Sequence, residues 1–261
     1  MAANQKSVIK VKNHNNIAVI TLNRPQAANA FNSAMARELI EVLTAISTDI
    51  RTVVLTGEGD KAFCAGADLK ERHNMSSDDW RAQHQLFRAA LKSVMDCPIP
   101  VIAAVGGVAY GGGFELSLGC DFIYASDNAT FALPEVSLGI MPGMGGTQNL
   151  LLAAGLRRAK EILFTAKPIS ADTAYSWGIV NRVFPQENLL EEAIACAQNI
   201  AKNAPLSLRA VKAASGHNFQ DFLNNGLARE SEHYQNLLNS ADRMEGITAF
   251  NEKRKPEFSG K

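Results

Sequence analysis

The chain has 261 residues, 46% of them hydrophobic, and its 26 basic residues balance 26 acidic ones. A chain of this length can bury a large core as one domain, or as one domain with an appended piece. The balanced charge argues against the strong electrostatic attraction that draws proteins to nucleic acid or to anionic membranes, so neither is expected as a partner.

The cysteines and the N-terminal segment bear on the cellular compartment. The four cysteines form no CxxC pair and no small secreted framework, which favours a reducing compartment. The first twenty residues contain no continuous apolar segment, so we expect no signal peptide. The cytoplasm is the predicted location, or the mitochondrial matrix if a transit peptide has been removed.

The first predicted elements are two strands and a helix. The segments SVIKVK and IAVITL flank an asparagine-rich turn at residues 13–16 and predict a β-hairpin. Apolar residues then recur at helical spacing from Met35 to Ile46. They follow Asn32 and Ser33, which are favourable residue types for a helix N-cap.

The middle of the chain repeats this order of strand and helix. TVVLTG predicts a buried strand, and the segment FCAGAD predicts a glycine turn after it. A helix that contains Trp80, Phe87, Leu91 and Val94 follows, and the strand VIAAV then enters the glycine-rich segment AYGGGFE. Farther on, FIYAS predicts a strand, and GGTQNLLLAA, RRAKEILF and SADTAYSW predict short helices.

The chain after Pro205 is predicted to be almost entirely helical. Its apolar positions form a discontinuous face that contains Leu223, Leu227, Tyr234, Leu237 and Leu238. Because a helical tail seldom stays apolar without a partner, we expect this region to pack against other protein surfaces.

Two glutamates are the strongest indication of chemistry. Glu115 ends AYGGGFE and follows an uncharged run, residues 97–114, that we expect to be interior, while Glu135 lies in FALPEVSLGIMPGMGGTQ. A carboxylate in an interior position has an altered pKa or a proton to move. The triple glycine lets backbone N–H groups approach a ligand, and FELSLG predicts a helix whose positive end faces it. With a second donor from FCAGAD, these features predict an oxyanion hole.

The motifs FCAGADLKER, AAVGGVAYGGGFELSLGCD, PEVSLGIMPGMGGTQ and AFNEKRKP resemble the enoyl-CoA hydratase or crotonase superfamily, over a match from about residue 17 to the C-terminus. The resemblance implies an α/β fold, a crotonase-like spiral of ββα units with a C-terminal helical oligomerisation region. Residues 1–204 would form the spiral core with the CoA site and the active site, and residues 205–261 the helical trimerisation region. Trimers that pair into hexamers are the implied assembly.

The resemblance also implies catalytic roles. The backbone N–H groups of Ala67 and Gly112 correspond to the oxyanion hole, and the amide of Gly143 to one that helps hold the catalytic water. Glu135 matches the glutamate that moves the proton between water and C2, and Glu115 the one that orients the water. Isomerases of the superfamily usually lack one of the two glutamates, so the pair favours hydration of an enoyl-CoA thioester.

The implied CoA contacts come from both ends of the chain. The backbone of residues 65–70 would run along the adenine and pantetheine, and the segment 24–29 would cover them. Phe250 and Lys253 match an aromatic residue and a lysine that reach the CoA of a neighbouring subunit. The expected contacts are Arg24, Ala28, Ala65, Ala67, Asp68, Leu69, Lys70, Gly112, Phe250 and Lys253. CoA is part of the substrate, and we expect no separate cofactor and no metal.

Several of these residues also have a purely structural interpretation. Asp68 follows a glycine turn and suits a helix N-cap, while Cys64 suits a small buried apolar position better than a nucleophile. The histidines have no metal-ligand spacing and are predicted to be solvated or structural. Met144 replaces a small residue of the superfamily pattern, and we expect its volume to narrow the acyl site.

Other functions remain open at this stage. FCAGADLKER followed by MSS resembles both enoyl-CoA and methylglutaconyl-CoA hydratases, and the second would need a polar partner for a distal carboxylate, such as Arg72, Arg81 or Arg88. An isomerase and a non-catalytic scaffold are further alternatives. RNA binding is disfavoured, because the helix that would carry it has acidic residues beside its two arginines.

Overall fold

The computed structural model describes residues 7–73 and 75–261, and for residues 216–222 it describes the helical backbone without the side chains. The strands are β1 (Ile9–His14), β2 (Ile17–Leu22), β3 (Thr52–Gly57), β4 (Ala62–Cys64), β5 (Val101–Val105), β6 (Val108–Tyr110), β7 (Phe122–Ser126), β8 (Thr130–Ala132), β9 (Ile169–Ser170) and β10 (Arg182–Phe184).

The helices lie between and after these strands. They are α1 (Ser33–Thr44), α2 (Leu69–Arg72), α3 (Ser77–Met95), α4 (Gly112–Leu118), α5 (Gly146–Ala154), α6 (Leu156–Thr165), α7 (Ala171–Ser176), α8 (Leu189–Ala201), α9 (Pro205–Leu237) and α10 (Ala241–Glu252). Two short 3-10 helices, Pro25–Ala27 and Glu135–Leu138, complete the secondary structure.

The strands form two sheets that the chain visits alternately. One sheet has the order β1-β2-β3-β5-β7-β10 and the other the order β4-β6-β8-β9. The pairs β1/β2 and β8/β9 are antiparallel, and the other pairs are parallel. The strands β3, β5 and β7 of the larger sheet are each followed by a strand of the smaller sheet and then by helix. This winding is the expected spiral of ββα units.

The smaller sheet brings distant parts of the sequence to one edge. Strands β4, β6 and β8 are parallel neighbours, with Cys64 paired to Ala109 and Tyr110 to Ala132. Because the carboxyl ends of parallel strands meet at the same edge of a sheet, the segments that follow these strands emerge side by side. They are the FCAGAD turn, the triple glycine and the segment that contains Glu135.

The larger sheet separates two parts of the core. Alternate residues of β3 point to opposite faces, so Val53 and Leu55 join the main core whereas Val54 packs against α8. Helix α8 covers its face of the sheet with Leu189 and with alanines placed one helical turn apart. The main core is rich in fully buried phenylalanines, which are Phe31, Phe63, Phe87, Phe114 and Phe131.

Most of the predicted elements are confirmed. The hairpin is β1 and β2, and the Asn32 side chain caps α1 by accepting a hydrogen bond from the Met35 amide at 2.9 Å. Strands β4, β6, β8, β9 and β10 and helix α8 were not predicted. These strands have only two or three residues each, which is too few for an alternating pattern to emerge.

The C-terminal helices pack against their own core. Helix α10 lies on the 3-10 helix at Glu135–Leu138, so closely that a side chain at Gly246 would overlap the Leu138 carbonyl. Tyr234 and Leu238 share a buried cluster with Trp80 of α3 and Ile247 of α10. Among the described helices, none combines the length and the apolar character that crossing a bilayer requires.

Candidate active site

A cavity of about 710 Å³ opens where the segments after β4, β6 and β8 meet α3, α9 and α10. Most of the residues predicted for the site line it, which are Arg24, Ala65, Ala67, Asp68, Leu69, Lys70, Gly112, Glu115, Glu135, Gly143 and Phe250. Ala28 and Lys253 are not among the lining residues. Phe250 lies at the cavity of its own chain, and its predicted contact with a neighbouring subunit's CoA stays a prediction.

Two backbone amides of residues that line this cavity have no acceptor among the described residues. Phe31 and Ala67 form an isolated parallel bridge in which the Phe31 amide donates to Gly66 and the Asp68 amide donates to Phe31. That pattern leaves the Ala67 N–H free. Gly112 is the first residue of α4, where N–H groups have no intrahelical acceptor. A Cβ built on Gly112 would lie 3.9 Å from the Ala67 nitrogen, so the two predicted donors are close neighbours.

Glycine is required where these two segments touch. A Cβ on Gly113 would overlap the Cys64 carbonyl oxygen, and one on Gly111 would lie 2.8 Å from Oε1 of Glu135. Gly111 also has a φ of 50°, which side chains disfavour. The triple glycine therefore lets the backbone of α4 approach both the FCAGAD turn and the carboxyl group of Glu135.

Glu115 is buried and held by backbone amides. Its Oε1 accepts hydrogen bonds from the amides of Met144 at 2.7 Å and Gly146 at 2.8 Å. Burial is the main cause that raises the pKa of Glu115 well above its ordinary value, and the nearby charges of Glu135 and Glu230 raise it further. The two amide bonds act in the opposite direction because they favour the ionised form.

Glu135 is equally enclosed but has an oxygen without a partner. Its residue is 7% exposed, and Oε2 is buried with no hydrogen bond from the described part of the protein. Burial raises the pKa of Glu135 to about 7, although the positive charge of Arg72 lowers it. The two carboxyl groups titrate as a coupled pair, in which the two amides favour negative charge on Glu115.

A third buried glutamate, Glu230 of α9, was not predicted from the sequence. Its Oε1 accepts from the Gly145 amide at 2.7 Å, and its Oε2 accepts from the Thr147 amide at 3.1 Å and from the Thr147 hydroxyl. Burial raises the pKa of Glu230. Four consecutive amides, from residues 144 to 147, therefore alternate between Glu115 and Glu230 as acceptors. This arrangement ties α9 to the loop that holds Glu115.

The same loop is held from a second side by His84. Burial lowers the pKa of His84 to about 4, so its ring is neutral at neutral pH. Nε2 lies 2.8 Å from the Gly143 carbonyl oxygen, which requires a proton on Nε2. The ring stacks on Tyr234 at a centroid distance of 3.9 Å, and the Tyr234 hydroxyl accepts from the Trp80 indole. The prediction that the histidines are structural or solvated is correct for His84.

The structural roles predicted for Asp68 and Cys64 are confirmed. Asp68 caps α2 by accepting hydrogen bonds from the amides of Lys70 and Glu71, and it forms an ion pair with Arg24 at 2.8 Å. Cys64 is fully buried, and burial raises the pKa of its thiol to about 12. A thiol that stays protonated at neutral pH is a poor nucleophile.

The side chain of Met144 lies at the cavity, and the narrowing of the acyl site stays a prediction. Its sulfur is 3.2 Å from the position that a Cβ on Gly112 would take, and it lines the cavity beside Glu115. A polarizable thioether thus borders the predicted oxyanion hole.

Comparison with known proteins agrees with this geometry. The sequence profile of the enoyl-CoA hydratase/isomerase family matches residues 12–261. The short-chain-enoyl-CoA hydratase of Clostridium acetobutylicum is 41% identical over 92% of this chain and 93% of its own length. The crotonyl-CoA hydratase of Syntrophomonas wolfei is 40% identical over 94% of this chain and 95% of its own length.

A solved structure extends the similarity to the fold. The enoyl-CoA hydratase of Bacillus anthracis is 43% identical and superposes with a TM-score of 0.81, over 97% of this chain and 100% of the other. The α/β spiral with C-terminal helices, predicted from the resemblance, is therefore the fold of this chain.

Proposed function

We infer that this chain, which belongs to the enoyl-CoA hydratase/isomerase family, is an enoyl-CoA hydratase. As a hydro-lyase it adds water across the 2,3 double bond of an enoyl-CoA thioester and forms a 3-hydroxyacyl-CoA. The observation that carries this inference is the presence of two buried glutamates, Glu115 and Glu135, in one cavity with the unpaired amides of Ala67 and Gly112.

The first requirement of the reaction is the oxyanion hole. When water attacks C3, electrons move from the double bond towards C2 and the thioester, and negative charge builds on the thioester oxygen. The amides of Ala67 and Gly112 are placed to donate hydrogen bonds to that oxygen. One such donor contributes about 2.7–4 kcal/mol to the transition state, which is roughly 10²- to 10³-fold in rate.

The two glutamates have different roles, since one orients the water and the other transfers the proton. Glu115 is ionised and fixed by its two amide bonds, so it accepts a hydrogen bond from the water and orients it towards C3. Glu135 donates its proton to C2, and the proton lost by the attacking water restores it. One water is consumed, and its hydrogen and hydroxyl appear on C2 and C3. A group whose pKa is about 7 is suited to both halves of this exchange.

Other residues of the cavity are available to bind the CoA part of the substrate. The lining of the cavity includes Ala65, Lys70 and Phe250, and we place the pantetheine and nucleotide of the thioester against them. Lys70 would act as a point charge for phosphate. Arg24 would shape the entrance, because its guanidinium is already bonded to Asp68 and to the Ala30 carbonyl oxygen.

The direct test is turnover of crotonyl-CoA. We expect 3-hydroxybutyryl-CoA to form, measured as loss of the conjugated thioester absorbance and by mass spectrometry of the product. But-3-enoyl-CoA serves as the comparison, because an isomerase would convert it to crotonyl-CoA. Fast isomerisation without hydration of crotonyl-CoA would contradict the proposal and favour an isomerase, whereas no turnover of either would favour a non-catalytic scaffold.

We also propose that the protein assembles as a trimer or as a hexamer of two trimers. Large apolar side chains remain exposed on α6 and α9, including Phe164 at 71% and Leu206 at 77%. Large exposed apolar side chains suit a subunit interface. Sedimentation velocity at micromolar concentration tests the assembly, and a monomer would contradict it.

A further inference from the structure

Arg72 is a buried cation that faces the cavity without a carboxylate. Its residue is 6% exposed and lines the cavity together with Glu135 and Phe87. Its Nε donates to Oε1 of Gln83 at 2.7 Å. Within residues 7–73 and 75–261, its two terminal nitrogens have no hydrogen-bond acceptor, and they are not sealed from the cavity.

The guanidinium is held in a fixed orientation. Its central carbon lies 4.4 Å from the centroid of the Trp80 ring and 5.3 Å from that of Phe87. Gln83, which accepts the hydrogen bond from Nε, is itself held in place because its amide nitrogen donates to Glu71 at 2.8 Å. The ring contacts and the Nε hydrogen bond leave the two terminal nitrogens of the guanidinium available. These two nitrogens can bind a carboxylate through two parallel hydrogen bonds.

The surroundings contain a second positive charge but no ion-pair partner. Arg243 is also buried, and its guanidinium carbon lies 4.7 Å from the Trp80 ring centroid. Among the described residues, no carboxylate lies within 4.0 Å of either guanidinium, Glu135 included. Because buried charges in proteins are nearly always paired, an anion is the missing component of this wall.

The other two arginines that the sequence offered for this role do not reach the cavity wall. Arg81 is partly exposed and pairs with Asp78 at 2.6 Å. Arg88 lines a separate depression between α3 and α9. Arg72 is thus the one among these three that lines the cavity together with Glu135.

We propose that the preferred substrates are enoyl-CoA thioesters whose acyl chain ends in a second carboxylate, which Arg72 binds through its two terminal nitrogens. This inference rests on the proposed hydration, since the distal carboxylate is recognised while the double bond lies between Glu115 and Glu135. The chemical class includes straight-chain dicarboxylic thioesters and those with a methyl branch at C3.

Matched substrate pairs provide the test. Pent-2-enoyl-CoA and glutaconyl-CoA have the same number of acyl carbons, as do hex-2-enoyl-CoA and 2,3-dehydroadipyl-CoA, and each pair differs in a distal methyl or carboxylate. We expect kcat/KM of the wild type to be about tenfold or more higher for the carboxylated member of at least one pair, the scale of a charge-assisted hydrogen bond. 3-Methylglutaconyl-CoA, compared with glutaconyl-CoA, distinguishes the branched from the straight class.

The variant Arg72→Met should abolish that preference, measured as the ratio of kcat/KM within each pair. Loss of the positive charge near Glu135 changes the absolute rates of both members of a pair alike, so the ratio is the readout. Arg81→Met is the matched control and should keep the preference. If the wild type hydrates both members of every pair equally well, the assignment of Arg72 is overturned while the hydratase function stands. If it hydrates none of the thioesters, the proposed function itself fails. If Arg72→Met does not fold, the ratio of kcat/KM within each substrate pair, measured for the wild type, still tests the preference for a distal carboxylate.

Discussion

Glu115 and Glu135 share one cavity but have opposite surroundings. Oε1 of Glu115 accepts backbone hydrogen bonds from Met144, just before α5, and from Gly146, the first residue of α5, so this carboxylate is fixed by main chain. Oε2 of Glu135 is buried with no partner in the described chain, and the group lies against a glycine backbone. The difference separates two tasks, because a fixed carboxylate can position a water whereas an unpaired one can exchange a proton.

The two loops around these glutamates also differ in how their amides are used. The four amides of residues 144–147 are all taken by carboxylates. The amides of Ala67 and Gly112, which border the same cavity, have no acceptor in the part of the chain that the structure describes. We call residues 144–147 the saturated side of the site, because each of their amides has an acceptor. Ala67 and Gly112 form the receptive side, whose amides can bind a ligand oxygen.

The largest effect should come from Glu135→Gln, which keeps the shape of the residue but removes the proton. We expect kcat for crotonyl-CoA to fall by roughly 10²- to 10⁴-fold, the range that general acid–base catalysis supplies. Binding of butyryl-CoA, measured by titration calorimetry, should be within about threefold of the wild type. Near-normal turnover would show that Glu135 does not transfer the proton.

Glu115 should be separable from Glu135 by isotope exchange. In Glu115→Gln and Glu115→Ala we expect hydration to fall by about 10²-fold or more, because the water loses its acceptor. Exchange of solvent deuterium into C2 of butyryl-CoA should persist, since it needs only Glu135 and the oxyanion hole. Circular dichroism checks the fold, because Glu115→Ala also leaves two amides unpaired.

Full hydration by these variants would show that Glu115 has only a structural role in α4. Loss of C2 exchange together with hydration, in a variant that folds, would contradict the separation of the two tasks.

The receptive side of the site could be predicted from sequence, because it depends on local motifs. Gly112 and Ala67 lie in glycine turns, and a glycine turn followed by a helix is a local pattern that presents free amides. Glu115 and Glu135 were equally visible, since each is an isolated acid in an apolar segment. Their proximity follows from the parallel pairing of β4, β6 and β8.

The saturated side could not be predicted in the same way. Glu230 lies in an acidic and polar stretch of α9, RESEHYQN, where nothing local distinguishes it from its exposed neighbour Glu232. Its partners, the amides of residues 145 and 147, are more than eighty positions earlier in the chain. Arg72 was one of three arginines offered for a distal carboxylate, and only tertiary packing decides which faces the cavity.

This contact of α9 also bears on the predicted division at residue 204. Glu230 and Tyr234 belong to the region assigned to trimerisation, yet both contact the loop at residues 143–147 of their own chain. The division into two regions stays a prediction, and the C-terminal helices have a role in the site in addition to any role in assembly.

The unpaired state of Glu135 should also be visible in stability. Its pKa rises from 4.5 to about 7 on folding, so the folded state holds a proton that the unfolded chain has already released. The wild type therefore loses stability as the pH increases from about 4.5 to 7. Glu135→Gln lacks this loss and should be more stable at pH 8, by on the order of 3 kcal/mol from about 1.36 kcal/mol per pKa unit.

Urea unfolding of both proteins at pH 8 and pH 5 measures this effect. The advantage of the variant should shrink towards pH 5, where wild-type Glu135 is protonated in the folded state. An advantage that is the same at both values would mean that packing, and not titration, causes it.

The smallest effect is expected from Glu230→Gln, which tests the saturated side. Glutamine replaces one of the two carboxylate oxygens by an NH2 group, which cannot accept. The amide of Gly145 or of Thr147 therefore loses its acceptor, at a cost of about 1–3 kcal/mol in the free energy of unfolding. We expect kcat to fall by about tenfold as the loop around Glu115 loosens, with the affinity for butyryl-CoA unchanged.

A pH profile distinguishes positioning from mere stability in this variant. The charge of Glu230 helps to raise the pKa of Glu115, so its removal should shift the acidic limb of the kcat profile to lower pH. Glu232→Gln, an exposed change two residues away on α9, is the control and should alter neither stability nor the profile. A lower unfolding free energy with an unshifted profile would show that Glu230 only stabilises the fold and does not act through Glu115.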